Sequence, residues 1–247
     1  MWCLTIHGDE LHLPLSRALP LYLQRCPHYH RLPRRVSRYI NFRRGTLNCI
    51  DISANAKDTL AAFQTYDTDT FLAIKPHPKY DQLLARNWGW NRRVTVVSPL
   101  CTSHHEMRTY KIREKSGTAS VVECPSGVAL NATTLDRLLK DYPYAGSVNG
   151  LKGDTDGHDL QVPHGARSLL ERERPIVLFE CDALGNEAYA DKGFTILGQF
   201  RESGYGGFLV YDNLGYLLGT FSFADLSIFK NLLLYRSIRP FMYFDHW

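Results

Sequence analysis

Asp51-Ile52-Ser53-Ala54-Asn55-Ala56-Lys57-Asp58 follows a short apolar run and leads into a helix-compatible stretch. In an open α/β sheet a ligand sits beyond the carboxyl ends of the strands, where a tight strand-to-helix turn brings backbone amides up to it. This segment has the composition of such a turn. An acid at the end of the neighbouring strand commonly holds ribose hydroxyls, because a carboxylate accepts two hydrogen bonds. Lys75 stands at that position, followed by Pro76-His77-Pro78. A second concentration of charge lies in Leu151-Lys152-Gly153-Asp154-Thr155-Asp156-Gly157-His158-Asp159. Taken alone, Asp-Gly is a common turn signal with no chemistry attached. His158 and His164 lack a partner at a metal-binding spacing, and His28-Tyr29-His30 and His104-His105 read as solvated loop residues. No metal is expected.

Strands and helices must carry these residues to one place. Leu47 to Ile52 reads as a strand, Asp58 to Phe63 as a helix, Thr70 to Ile74 as a second strand and Lys79 to Trp88 as a second helix. Three valines among Val94 to Val97 suit a buried, pleated position. Met107 to Ile112 and Ala119 to Glu123 read as extended pieces of a loop or edge hairpin, and Thr133-Thr134-Leu135-Asp136-Arg137-Leu138-Leu139 begins a helix with a threonine well placed as its cap. Val148 to Asp154 predicts another strand, Leu160 to Leu170 a helix, and Pro175 to Glu180 the clearest strand of all. Phe208 to Tyr211 with Tyr216 to Thr220 reads as a hairpin. Alternating strands and helices imply α/β architecture: a mostly parallel sheet flanked by helices, with an antiparallel edge hairpin.

With these motifs in order, the chain resembles the FkbM methyltransferases, whose first motif reads Asp-x-Gly-Ala-Asn-x-Gly and whose second reads Glu-Pro-x-Pro. Thr134-Leu135-Asp136, Leu151 to Asp159, Gly165-Ala166 and Arg174 to Glu180 extend the match over roughly residues 45 to 215. The resemblance implies a Rossmann-like class I methyltransferase that binds S-adenosylmethionine and methylates a hydroxyl oxygen, often on a sugar or natural product. Carried over by position, Asp51, Ser53, Ala54, Asn55 and Lys57 would lie along the cofactor and Lys75 would face its ribose. Asp154 and Asp156 would sit near the reacting centre with Lys152 before them on the same strand, and the carboxylates would orient the acceptor hydroxyl or take its proton.

The departures from the family pattern fall on its signature positions. Ser53 and Lys57 replace glycines, and Lys75 replaces a glutamate with a group that cannot accept a hydrogen bond. Gly153 replaces an apolar strand residue, and Pro163 falls inside the helix expected from Leu160 to Leu170, where it would remove a hydrogen bond. Two further readings therefore stand beside the enzyme. One is a non-catalytic binding or scaffold protein that keeps the methyltransferase shape. The other is a nicotinamide-dependent oxidoreductase, which the missing Gly-x-Gly-x-x-Gly turn disfavours and only Lys75, as a partner for a 2′-phosphate, supports.

The length of 247 residues, with 44% apolar and 22% charged side chains, suits one α/β domain with short extensions. The expected division is a basic helical lead-in or cap over 1–44, the methyltransferase domain over 45–220 and an aromatic extension over 221–247. Arg31, Arg34, Arg35, Arg38, Arg43 and Arg44 crowd the lead-in. With few aromatics between them they read as a solvated helix face, so no nucleic-acid partner is expected. The C-terminal aromatics Phe221, Phe223, Phe229, Tyr235, Phe241, Tyr243, Phe244 and Trp247 read as packing residues. No run is long enough for a membrane helix, and the six cysteines form no Cys-x-x-Cys pair. The expectation is a cytoplasmic protein with a small-molecule or glycan acceptor and no membrane partner.

Overall fold

A computed structural model describes residues 1–15, 19–25, 30–52, 58–64, 66–76, 78–115, 118–142, 147–155, 159–180, 187–212 and 215–231. Its chain begins with β1 (Trp2–Ile6) and β2 (Asp9–Leu13), followed by α1 (Leu19–Arg25) and α2 (Arg31–Arg44). Next come β3 (Asn48–Ile52), α3 (Asp58–Phe63), β4 (Thr70–Ile74), α4 (Pro78–Trp88) and β5 (Val94–Val97). An inserted sheet follows, with β6 (Leu100–Cys101), β7 (Glu106–Lys115), β8 (Thr118–Glu123) and β9 (Val128–Thr133). The chain then returns through α5 (Leu135–Asp141) to β10 (Gly150–Gly153), α6 (Gln161–His164), α7 (Arg167–Glu173), β11 (Ile176–Phe179) and α8 (Glu187–Glu202). It closes with β12 (Gly207–Tyr211), β13 (Leu217–Ser222) and a 3-10 turn over Phe223–Asp225.

The central sheet runs β11-β10-β3-β4-β5 with every pair parallel. Parallel strands need helical crossovers on both faces, so their residues are buried on both sides, as all five of β3 are. The strand period of two divides these residues between two cores. Ile50, Ile52, Leu72, Ile74 and Leu151 meet Leu135, Leu169, Leu170, Ile196 and Phe200 from the later helices. Cys49, Phe71, Ala73 and Val94 meet Ile40, Leu60, Phe63, Tyr80 and Trp88, together with Leu11 and Leu13 of the first hairpin. The chain moves from β3 outward to β5, then crosses back to place β10 on the other side of β3. The reversal between β3 and β10 is the switch point at which such sheets open a crevice. At the amino ends, Asn149 locks the register: its side chain accepts from the Asn48 N–H at 2.8 Å and donates to the Thr46 carbonyl at 2.8 Å.

Residues 2–13, expected at the head of a helical segment, instead form a hairpin. His7 (φ 51°) and Gly8 (φ 99°) make its two-residue turn in the left-handed region, which suits the twist of a tight hairpin. Arg34 Nη1 contacts His7 Nδ1 at 3.2 Å and ties the turn to α2. The late hairpin β12–β13 has its own two-stranded ladder and joins the core through Phe208, Val210 and Phe221.

The helix expected from Leu160 to Leu170 is two short helices broken at Gly165-Ala166. Pro163 falls in the first turn of α6, where its missing N–H would have had no helical acceptor, so it costs no hydrogen bond. Thr134 caps α5 by accepting from the Arg137 N–H, and the Asp136 carboxylate reaches across to cap α7 through the Ser168 and Leu169 N–H groups at 2.8 and 2.9 Å. Gly165 permits this approach, since a Cβ there would lie 2.1 Å from the Thr102 carbonyl oxygen. Gly153 is the opposite case, because a Cβ there meets nothing within 4 Å. Urea unfolding should therefore show Gly165→Ala losing about 1–3 kcal/mol or more from overpacking against backbone, and Gly153→Ala gaining about 0.4–1 kcal/mol through the unfolded chain.

Cys49 and Cys101 are buried, and burial pushes the Cys101 thiol up to about 12 from its ordinary 9.0. A raised acid stabilises the fold fully below its unfolded value and loses that contribution as pH climbs towards the folded one. Cys101 should resist iodoacetamide at pH about 8 in the native state and react once urea unfolds the chain, as peptide mass spectrometry would show. Labelling of Cys101 in the native protein would contradict its placement.

Candidate functional site

At the carboxyl ends of β3 and β10 three charged side chains share one sheet face. Asp51 lies two residues beyond Cys49 and pairs in register with Lys152, so both project to the side covered by α2, α3 and α4. Lys75, two beyond Ala73, follows the same parity at the end of β4. Asp51 is fully buried. The Lys152 ammonium stands 3.3 Å from Asp51 Oδ1 and 3.5 Å from Oδ2 of Asp154. Asp154 is half exposed and follows directly on β10. Burial pulls the Lys152 ammonium down, but Asp51, Asp154 and the more distant Asp58 outweigh it and carry the group well above the ordinary lysine range. Lys152 is thus a fixed cation rather than a base. Asp51 Oδ2 is buried and has no hydrogen-bond partner among the described residues.

One neighbour was not legible as a site residue. His30, expected to be solvated, is only 8% exposed, and its Nε2 lies 3.4 Å from Oδ2 of the buried Asp58. That contact ties the start of α2 to the start of α3. Its only sequence signal is that Asp58 opens a helix immediately after the turn that follows β3. Lys75 is 2% exposed, and its ammonium lies 5.6 Å from the centre of the Tyr80 ring, within cation–π range. The structure thus brings together Asp51, Lys152 and Asp154, with Lys75 on the same face one strand away. Ser53, Ala54, Asn55, Lys57 and Asp156 lie outside the described residues.

Residues 51–205 match the FkbM methyltransferase domain. The chain belongs to the FkbM methyltransferase family. The crystal structure of the methyltransferase FkbM from Methylobacillus flagellatus KT shares the fold, with a TM-score of 0.50 and 16% identity over 73% of this chain. The aligned part is 46% of that longer chain. No curated protein matches. Within this FkbM domain the family-like residues fall into two groups. Asp51, Lys152 and Asp154 stand at the crevice, whereas Thr134, Asp136 and Gly165 hold helices together away from it. Among the described residues no helix is long and apolar enough to cross a membrane.

Proposed function

We propose that this FkbM family member is an S-adenosylmethionine-dependent O-methyltransferase acting on a hydroxyl of a sugar, a glycan or a small natural product. The carrying observation is the crevice-end carboxylate Asp51, with one oxygen held by Lys152 and the other without a partner among the described residues. A buried carboxylate oxygen of this kind suits a cationic N–H donor, and the cofactor's methionine ammonium is one. When bound, the cofactor supplies an electrophilic methyl group. Lys152, its ammonium kept charged at neutral pH by the two carboxylates, holds Asp51 and Asp154 in place. Asp154, half exposed at the strand end, orients the acceptor hydroxyl and takes its proton.

Lys75 does not fit the part of the family's glutamate, since an ammonium offers a ribose no acceptor. Its buried cation favours the second reading, a methyltransferase-shaped binding protein with an impaired cofactor site. Calorimetric titration with S-adenosylmethionine and S-adenosylhomocysteine separates the two, using the chain as it is and the Ser53→Gly, Lys57→Gly, Lys75→Glu triple variant. The enzyme reading expects binding in the micromolar range by the unaltered chain. Binding by the triple variant alone would overturn it in favour of the scaffold.

A further inference from the structure

A cleft of about 350 Å³ opens at the amino ends of the strands, the opposite pole from Asp51 and Lys152. It is lined by Tyr39, Ile40, Arg43 and Arg44 of α2, by Asn149 just before β10, and by Ile176 at the start of β11. This volume is in the range that small-molecule sites occupy. Tyr39 and Ile176 offer apolar wall, while the Asn149 amide is committed to the backbone of residues 46 and 48. The charged donors left for a ligand are the two guanidinium groups. Neither Arg43 nor Arg44 has an ion pair or side-chain hydrogen bond among the described residues. Among the described residues no carboxylate lines the cleft, and α2 contains no acid.

A third arginine borders the same end. Arg174 precedes Pro175 and β11, with its backbone in the left-handed region at φ 47°. Its guanidinium packs against Gly204, where a Cβ would lie 3.1 Å away. Burial raises the adjacent Tyr205 hydroxyl well above the usual tyrosine range, and Arg174 and Arg44 both act on it in the opposite sense. Glu173, the acid beside Arg174, is already engaged by Arg172 and by the Val148 N–H.

We propose that this cleft is a binding site for a phosphate monoester, its phosphate held between Arg43 and Arg44 and its organic part lying against Tyr39. Guanidinium groups present forked donors that match phosphate oxygens, and a dianion answers the uncompensated charge. A soluble phosphorylated metabolite and the phosphomonoester headgroup of a lipid share this chemistry. The site is independent of the methyl-transfer reading, since it lies at the other end of the sheet.

Phenyl phosphate, which carries both a phosphate and a ring, is the probe for calorimetry on the full chain. Saturable binding is expected, weakened about tenfold or more in Arg43→Gln/Arg44→Gln through loss of charge-assisted hydrogen bonds. Arg35→Gln/Arg38→Gln removes the same charge from the same helix outside the cleft and should stay within about twofold if the site is specific. Unchanged melting temperatures for both variants show that the fold is intact. Vesicles of phosphatidylcholine with phosphatidic acid distinguish the sources: capture that phenyl phosphate competes away and Arg43→Gln/Arg44→Gln abolishes supports the site and makes the ligand a headgroup. Phenyl phosphate binding without vesicle capture supports it and makes the ligand soluble. No binding of phenyl phosphate overturns the proposal. So does equal weakening by the two variants, or binding of an oligouridylate alone, either of which would mark a diffuse basic face.

Discussion

Lys152→Met is expected to cost about 3–5 kcal/mol in urea unfolding, the magnitude typical of removing one partner from a buried ion pair. The reason is specific to this crevice. Asp51 is fully buried, its Oδ2 lacks a partner among the described residues, and Lys152 holds Oδ1 at 3.3 Å. Removing the ammonium leaves a buried carboxylate charge without the cation that holds it. Adding Asp51→Asn to Lys152→Met should restore much of the loss, and the coupling in a double-mutant cycle would measure the pair directly. Acidification should also relieve the single variant, because a protonated carboxyl needs no cation. The wild-type contribution of Lys152 behaves differently. Its folded value is raised, so its stabilisation is intact below the ordinary 10.5 and fades only at more alkaline pH. Additive single-variant effects would show that the crevice does not depend on this contact.

Asp154→Asn should leave the fold almost untouched and act on turnover. Its carboxylate is 48% exposed and 3.5 Å from Lys152, so its ion pair adds no more than about 1 kcal/mol to stability. Under the proposed function the same carboxylate receives the acceptor's proton, and its loss should lower kcat by about 10²–10⁴-fold with cofactor affinity preserved. Transfer of labelled methyl groups to a panel of hydroxylated sugars, with calorimetry on S-adenosylhomocysteine alongside, would test this. A change confined to KM would assign Asp154 to acceptor binding, and no change in either constant would remove it from the site.

The crevice illustrates what can be read from residues in order. Asp51 stands out because it closes an apolar run and precedes a turn, and Asp154 because it ends a strand rich in family-like residues. Their meeting through Lys152 is a different matter. It depends on a parallel register between strands a hundred positions apart, and no local pattern encodes that alignment. A threonine cap for α5 is readable from the residues in order, and Thr134 fills it, but the same limit hid the roles of Asp136 and Gly165. Their family-like order is visible, yet the cap that Asp136 places on α7 and the close approach of Gly165 to Thr102 emerge only when α5, α6 and α7 are packed together.

Elements whose signal is local follow from the residues they contain. Val94–Val97, Thr70–Ile74 and Asp58–Phe63 form where apolar periodicity and β-branching specify them, and α2 stops where Gly45 adopts the left-handed cap at φ 81°. Other features exist only through packing. The hairpin over residues 2–13 and the helix Glu187–Glu202 carry no clear local signal, and both bury apolar residues against surfaces built by distant segments. His30 is removed from solvent because α2 lies on α3. Arg43 and Arg44, exposed at the end of α2, border a cleft because the amino ends of β10 and β11 complete its walls. A side chain's type follows from its codon, but its burial and its partners depend on which surfaces the whole chain brings against it.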